Sequence, residues 1–328
     1  MAESRNITMK DVAREAGVAL GTVSRVINGM PVGKSYQTRV EKAIDKLGYR
    51  VNRQAQALRA GEGGPVEVIL PDVSNPFYSR LADCLCRELA QHSRQMLLSL
   101  TGGETALEQA YMLLPGQQPV SGIICLTEHS DLQIPHGVPT VSIDRVLGQG
   151  CPCVTGDSYG GGLLAAQTLL KNGCKSLAFL RGESVRPNET DKRRDGFLCA
   201  CIDAGVSFES MCAREGDPGS AMEDFLRAHF HDGVLDFDGL FCATDLLAQQ
   251  IRRTLNQMGL RVPQDVQIIG YGGVKRFGDQ ELPCSTIVQP VEEIARICVD
   301  LILQSSPGKY ACSLQIPVSY AFGGTTRK

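Results

Sequence analysis

From Val66 to Tyr271 the chain alternates short apolar runs with stretches of helical periodicity, and nothing else in the sequence restricts the fold so much. The runs VEVIL (66–70), QMLLSL (95–100), GIICL (122–126) and PTVSI (139–143) are interleaved with helical patterns near residues 77–91 and near Glu104. After Asp157 the alternation starts again: a helix near residues 159–170, SLAFL (176–180), a helix through 194–204, GLFCA (239–243), a helix from Asp245, and VQIIGY (266–271). This order predicts parallel sheets with crossover helices on both faces. Two doubly wound lobes are expected, because 328 residues exceed what one compact core holds. The α/β body then spans residues 62–328, with one lobe from roughly 65–156 and 288–317 and the other from 157–287 and 318–328.

In sheets of this type ligands bind beyond the carboxyl ends of the strands, and two lobes would face each other across a cleft. The residues just past those ends are Asp72 through Tyr78, including Asn75 and Phe77; Asp144 and Arg145; Asp157 and Ser158; the segment around Arg193; Thr244 and Asp245; and Gly272 onward. Singly each is a weak sign, since loop Asp and Arg are commonly solvated or cap a helix. Asp245 also reads as a first-turn acid favoured by the helix dipole. Together they put polar groups at the same end of both sheets.

Other chemistry has little support. GDSYGGG (156–162) has neither the GxxxxGK[ST] spacing nor the GxGxxG order of phosphate loops, and reads as a tight turn into a helix. His229 and His231 have no third ligand nearby and read as surface histidines at a helix end. The 13 cysteines contain no Cys-x-x-Cys, and the near pairs Cys84/Cys86, Cys151/Cys153 and Cys199/Cys201 read as small hydrophobes. GxSxG, HExxH and a Ser-His-Asp arrangement are missing, so neither catalysis nor a metal or cofactor is expected. No run approaches the roughly 18 apolar residues of a membrane span, and MAESRNITMKD lacks the apolar core of a signal peptide. A cytoplasmic chain with reduced thiols is expected.

The net charge of −3 conceals a split. Residues 1–60 hold 11 Lys and Arg against 5 Asp and Glu, a net +6, which leaves −9 for residues 61–328. A small basic module on a larger acidic one suits a protein that meets a polyanion with its head alone. In that head Thr8 and Asp11 resemble a helix cap with an acidic third residue, and Met9, Val12, Ala13 and Ala16 recur at helical spacing until Gly17. Val23, Val26 and Ile27 form a second stripe that stops at Asn28-Gly29, and Val40, Ala43, Ile44 and Leu47 form a third, behind Ser35 and ending at Gly48. Helices this short must share a core, which gives a helix-turn-helix outline. Thr22, Ser24 and Arg25 project away from the second stripe as a polar face that fits a major groove, with arginine as a bidentate donor to guanine or phosphate. Leu20 is open between two roles, capping the core or touching a thymine methyl.

These motifs carry a resemblance. TMKDVAREAGVALGTVSRVIN, followed by LGYRVNRQAQALRAG, resembles the headpiece and hinge of the lactose/galactose repressor family of bacterial transcription regulators over residues 7–61. LPDVSNPFY, SIDR, RRDGF, FCATDLLA, GLRVPQDVQIIGY and STIVQP resemble that family's effector-binding core. The resemblance implies an all-α helix-turn-helix headpiece plus hinge helix at residues 1–61, joined to an effector-binding and dimerisation body of periplasmic-binding-protein type. It makes Leu20, Gly21 and Arg25 base readers, turns Thr22, Ser24 and Asn28 toward phosphates, and adds Thr8, Tyr49, Asn52 and Ala55 to the DNA-binding set. Leu58 falls where the family wedges a leucine into the minor groove and kinks the duplex. Residues 53–59 then read as a linker that becomes helical on DNA. In the body the resemblance places Phe77 and Tyr78 beside an effector ring, and Asp144, Arg193, Phe241 and Asp245 at the cleft. Four positions depart from the pattern. Ala19 stands where a Ser or Thr cap is usual, Gly21 offers no side chain for reading a base, Val51 replaces a proline before the hinge, and Gly272 replaces an acid, which removes one acceptor for a sugar hydroxyl. Lys275 and Arg276 follow, either as partners of an anionic effector or as two solvated loop cations.

The expected function is an effector-responsive, sequence-specific DNA-binding regulator, a repressor of carbohydrate-utilisation genes. Its homodimer would bind a pseudo-palindromic double-stranded DNA operator, with affinity set by a sugar or sugar derivative between the lobes. The dimer is expected to use the faces near residues 77–86 and the helix starting at Asp245, with no tail-built tetramer, since YAFGGTTRK carries no leucine heptad. An exported solute-binding protein would explain the body without the basic head, and an α/β enzyme would explain neither head nor cleft.

Overall fold

A computed structural model of the chain describes residues 7–27, 29–49, 64–116, 120–148, 150–182, 188–213, 218–275, 281–304 and 313–328. They fall into two compact units, Met1–Gly64 and Pro65–Lys328. Asn28, Asn52, Ala55 and Leu58, the hinge helix expected at residues 53–59, and Val51 and Arg276 lie outside the described residues.

Among its described residues the first unit has three helices, α1 (Met9–Ala16), α2 (Leu20–Ile27) and α3 (Lys34–Leu47). Thr8 opens α1 as expected, its backbone N–H and hydroxyl both donating to the Asp11 carboxylate at 3.0 and 2.7 Å. Gly17 closes it in the left-handed conformation that glycine tolerates best, φ +61°, and Gly48 closes α3 in the same way, φ +62°. Ser35 does not cap α3; Gly33 takes that position in extended backbone, two residues earlier than the spacing predicts. Val12, Ala13, Ala16, Val23, Val40 and Ala43 form the shared core. Arg39 of α3 ties it to the end of α1, donating from Nε and Nη2 to the Ala16 carbonyl at 3.0 and 2.6 Å.

The second unit contains two six-stranded sheets. The first has the order β13-β5-β4-β3-β1-β2, built from β1 (Val66–Leu70), β2 (Met96–Leu100), β3 (Gly122–Cys125), β4 (Thr140–Ile143), β5 (Cys153–Gly156) and β13 (Ser313–Ile316), all parallel. The second has the order β14-β12-β11-β10-β6-β7, from β6 (Ser176–Gly182), β7 (Ser207–Ala213), β10 (Gly239–Cys242), β11 (Gln267–Gly272), β12 (Thr286–Val288) and β14 (Ser319–Ala321); only β14 runs antiparallel to its neighbour. Between β7 and β10 in sequence, β8 (Phe230–His231) and β9 (Val234–Leu235) form a small hairpin.

Because side chains alternate along a strand, each sheet buries two faces and needs helices on both. In the first lobe Val66, Val68 and Leu70 meet α4 (Pro76–Gln91) and α10 (Val291–Gln304) through Leu81, Leu85, Ile294 and Cys298. Ile69 and Ile123 turn the other way to Met112 of α5 (Thr105–Met112). In the second, Leu180, Leu240 and Ile268 meet α8 (Pro218–Ala228) and α9 (Asp245–Gln257), while Phe179, Phe241 and Ile269 meet α6 (Ser158–Lys171) and α7 (Lys192–Ala204). The chain passes between the lobes three times, after β5, after β12 and after β13.

Helices α6 and α7 cross with almost no space between their backbones. A methyl group at Gly162 would lie 1.9 Å from the Arg193 carbonyl oxygen, and one at Gly196 2.0 Å from that of Tyr159. This contact sets the height of Arg193 against the second sheet. Of the two histidines, His231 is exposed as expected, whereas His229, just past the end of α8, is only partly solvated. Its ring packs against both Phe225 and Phe237, at 4.7 and 4.9 Å, with Nδ1 3.0 Å from Asp236 and Nε2 3.4 Å from Glu209.

Candidate functional site

At the carboxyl ends of both sheets lies a cavity of about 460 Å³, walled by residues of both lobes. The first lobe contributes Asn75, Phe77 and Tyr78 from the start of α4, Thr127 and Glu128 after β3, and Asp144 and Arg145 after β4. The second contributes Arg181, Thr190, Arg193, Asp245, Tyr271 and Gly272. Asn75 is there because it caps α4, its Oδ1 accepting the Phe77 N–H at 3.0 Å, with Pro76 at the first turn where a missing N–H costs nothing. That cap aims Phe77 and Tyr78 at the wall.

Asp144 stands at a positive φ of 56° and accepts a hydrogen bond from the Thr155 hydroxyl at 2.5 Å. Burial pushes its carboxyl up, against the opposing pull of the Arg193 guanidinium and of Thr155. The lobes touch here, the Glu189 N–H reaching the Asp144 carbonyl at 3.3 Å. Burial also raises the Tyr78 phenol, and the carboxylates of Glu128, Asp144 and Asp72 add to that rise.

Arg193 faces Asp144 from the second lobe. Its Nη1 donates to the Ala243 carbonyl at 2.8 Å, its plane covers the Tyr271 ring at 3.6 Å, and its Nε is buried with no partner among the described residues. Asp245 is not spent on capping α9, because the Thr244 hydroxyl accepts the Leu247 N–H at 3.2 Å. Its carboxylate instead accepts the Gly273 N–H at 2.7 Å and the Thr286 hydroxyl at 2.6 Å. Burial raises its carboxyl as well, opposed by those bonds. Gly272 sits beside it at φ +141°, where an added methyl would meet Asp245 Oδ2 at 3.1 Å. The acid at 245 therefore occupies the space next to the position whose own acid is missing.

Eight of the ten expected cleft residues meet at this cavity: Asn75, Phe77, Tyr78, Asp144, Arg145, Arg193, Asp245 and Gly272. Two do not. Phe241 is fully buried among Phe179, Phe197 and Tyr271, because its strand position points into the face covered by α6 and α7. Asp157 caps α6, its Oδ1 accepting the Gly160 N–H at 2.8 Å, and lies off the wall. Lys275 is exposed and also off the wall. Sequence reasoning missed Glu128, Arg181, Thr190 and Tyr271; Glu128 follows the β3 run closely enough that its strand end could have signalled it.

In the first unit Leu20 is 41% exposed and outside the core, which removes its core-capping alternative. Gly21 and Arg25 are exposed beside it, and Thr22 and Ser24 are half-buried. Thr8 is committed to Asp11, and Tyr49 packs against the three-helix core. Among the described residues no His, Cys, Asp and Glu group could hold a metal, and no helix is long and apolar enough to cross a membrane.

A helix-turn-helix unit followed by two doubly wound lobes around a polar cavity defines a ligand-responsive DNA-binding regulator. Residues 8–52 match the bacterial regulatory proteins of the lacI family, and residues 166–326 match the periplasmic binding protein-like domain. The chain is 33% identical to the ribose operon repressor of Bacillus subtilis (strain 168), covering 98% of this chain and 99% of that one. It is similar in fold to the lac repressor dimer bound to operator and the anti-inducer ONPF, with a TM-score of 0.77 at 23% identity over 98% of this chain and 99% of that one. The complex of the transcriptional regulator CelR with cellobiose matches with a TM-score of 0.67 at 27% identity over 97% of this chain and 99% of that one. The chain belongs to the lacI family of bacterial regulatory proteins.

Proposed function

We propose that this protein is a sugar-responsive repressor of carbohydrate-utilisation genes that acts in the cytoplasm by binding and not by catalysis. A homodimer, joined through the exposed faces of α4 and α9, presents two headpieces to a pseudo-palindromic operator, and two joined half-site contacts raise the effective affinity. Helix α2 enters the major groove with Leu20, Gly21 and Arg25 toward base edges and Thr22 and Ser24 toward phosphates; Thr8 and Tyr49, with Asn28, Asn52, Ala55 and Leu58, complete the DNA contacts.

The observation that carries this reading is the two-lobed wall of the cavity. Asn75, Tyr78, Glu128 and Asp144 belong to one lobe and Arg181, Arg193 and Asp245 to the other, so a ligand touching both favours one angle between them. Phe77 and Tyr78 offer apolar ring surface, and carboxylates opposed to guanidinium groups offer acceptors and donors for hydroxyls. A sugar has both. The relatives' names, a ribose operon repressor and a regulator bound to cellobiose, support the same ligand class.

Operator selection from a random duplex library by the full-length protein, repeated with D-ribose, sucrose and cellobiose at fixed salt, tests the proposal. A recovered pseudo-palindrome whose yield responds to a sugar is the expected result, and no enrichment under any condition contradicts it. On the recovered site, Arg25→Ala should weaken specific binding by about 1–3 kcal/mol. Equal loss on random duplex would move Arg25 from base to phosphate.

A further inference from the structure

Helix α5 contributes nothing to the cavity wall, yet it grips the loop that does. Its Glu108 is fully buried. One carboxylate oxygen accepts the Glu128 N–H at 2.6 Å; the other accepts the His129 N–H at 3.2 Å and lies 3.0 Å from His129 Nδ1. The second ring nitrogen of His129 meets the Thr105 hydroxyl at 2.8 Å. Next to Glu108 on the helix, Gln109 accepts the Gln133 N–H at 2.8 Å and donates to the Gln133 carbonyl at 3.3 Å. One helix therefore holds the segment from Glu128 to Gln133 at three points.

The same loop holds Arg145. The Thr127 carbonyl accepts Arg145 Nε at 2.8 Å, and Glu128 Oε2 lies 4.0 Å from Arg145 Nη2. Arg145 Nη1 is left buried with no partner among the described residues, in a residue that lines the cavity. A buried carboxylate is costly unless donors surround it, and a buried guanidinium N–H is costly unless something accepts it. Glu108 meets the first condition within the loop. A ligand acceptor would meet the second.

We propose that Glu108 is a positioning residue of the effector site. By clamping the Glu128 and His129 N–H groups it fixes the Thr127 carbonyl, which aims Arg145, and the Glu128 side chain beside it. The wall then presents Arg145 Nη1, without a partner among the described residues, at a fixed place beside the Glu128 side chain. The inference rests on the reading of this cavity as the effector site.

Hydrogen exchange by mass spectrometry on the full-length protein compares the parent with Glu108→Gln and Glu108→Ala. Glutamine keeps the shape of the side chain but turns its own NH2 toward one of the loop donors, so both variants should exchange faster. The expected change is about tenfold or more in residues 127–133 and around Arg145, with the strands of the same sheet unaltered. Unchanged exchange in the loop, or equal loss across the whole lobe, overturns the proposal.

Calorimetric titration with D-ribose and cellobiose as probes then separates positioning from stability through a double-mutant cycle with Arg145→Ala. Positioning predicts that Arg145→Ala costs much less affinity in Glu108→Ala than in the parent; independent losses overturn it. Binding of neither sugar to the parent would count against the sugar reading of the cavity, while the exchange result still decides the role of Glu108.

Discussion

Arg193 meets the Ala243 carbonyl, the face of Tyr271 and, through its field, both Asp144 and Asp245. Only a flat, multiply donating cation can do all of this at once, so Arg193→Lys keeps the charge and loses the geometry. We expect it to lower sugar affinity by about 2–3 kcal/mol, measured by calorimetry, with sugar-free operator affinity nearly unchanged. Asp144 allows a pH prediction. Its carboxyl is raised above 3.8 by burial, so its contribution to stability is fully present below 3.8 and is lost as pH rises through the elevated value. Asp144→Asn, which keeps an acceptor for Thr155 and tolerates the positive φ, should raise Tm at neutral pH, with the gain fading toward pH 4. A Tm difference independent of pH would refute that cause. These positions were legible in the sequence because they follow strand ends. Tyr271 was not, because it lies inside the VQIIGY run, where a side chain ordinarily belongs to a sheet face; Arg181 directly follows the SLAFL run and the same rule could have found it, although the strand itself extends to Gly182. Phe241 was misread for the complementary reason: one residue of register decides between wall and core.

Among the elements, the α6–α7 crossing connects packing most directly to the site. The two glycines let the helix backbones approach, and the carbonyl that Gly162 would strike belongs to Arg193. Because the obstruction is backbone, no rotamer can relieve it. Gly162→Ala should cost about 2–3 kcal/mol in urea unfolding and should weaken sugar binding at temperatures where the chain is still folded. A stable variant with unchanged sugar affinity would mean that α7 can shift without moving Arg193. Periodicity disclosed the long amphipathic helices and the fully buried strands such as VEVIL, since those satisfy one rule along their whole length. It did not disclose β7, whose residues are mostly exposed or half-buried at a sheet edge, or the three-residue strands β12 and β14, whose identity depends on partners distant in sequence. Gly33, not Ser35, opens α3, because backbone geometry and not side-chain preference sets that start.

Across the whole molecule, the basic head and acidic body divide the work: residues 1–60 carry +6 and the remainder −9, so the duplex is attracted to one part and repelled by the other. The chain crosses between the lobes three times among the described residues, and in the proposed mechanism a ligand in contact with both walls favours one angle between them. Whatever a sugar does to operator affinity, the operator must do to sugar affinity by the same factor. The cavity and the headpiece must then be thermodynamically linked. Calorimetry on the full-length protein should measure sugar affinity with and without a saturating selected operator duplex at constant salt. The expected ratio of the two dissociation constants is about 5-fold or more, equal to the change that saturating sugar makes in operator affinity. Equal sugar affinity in the two titrations, with the operator demonstrably bound, would contradict it.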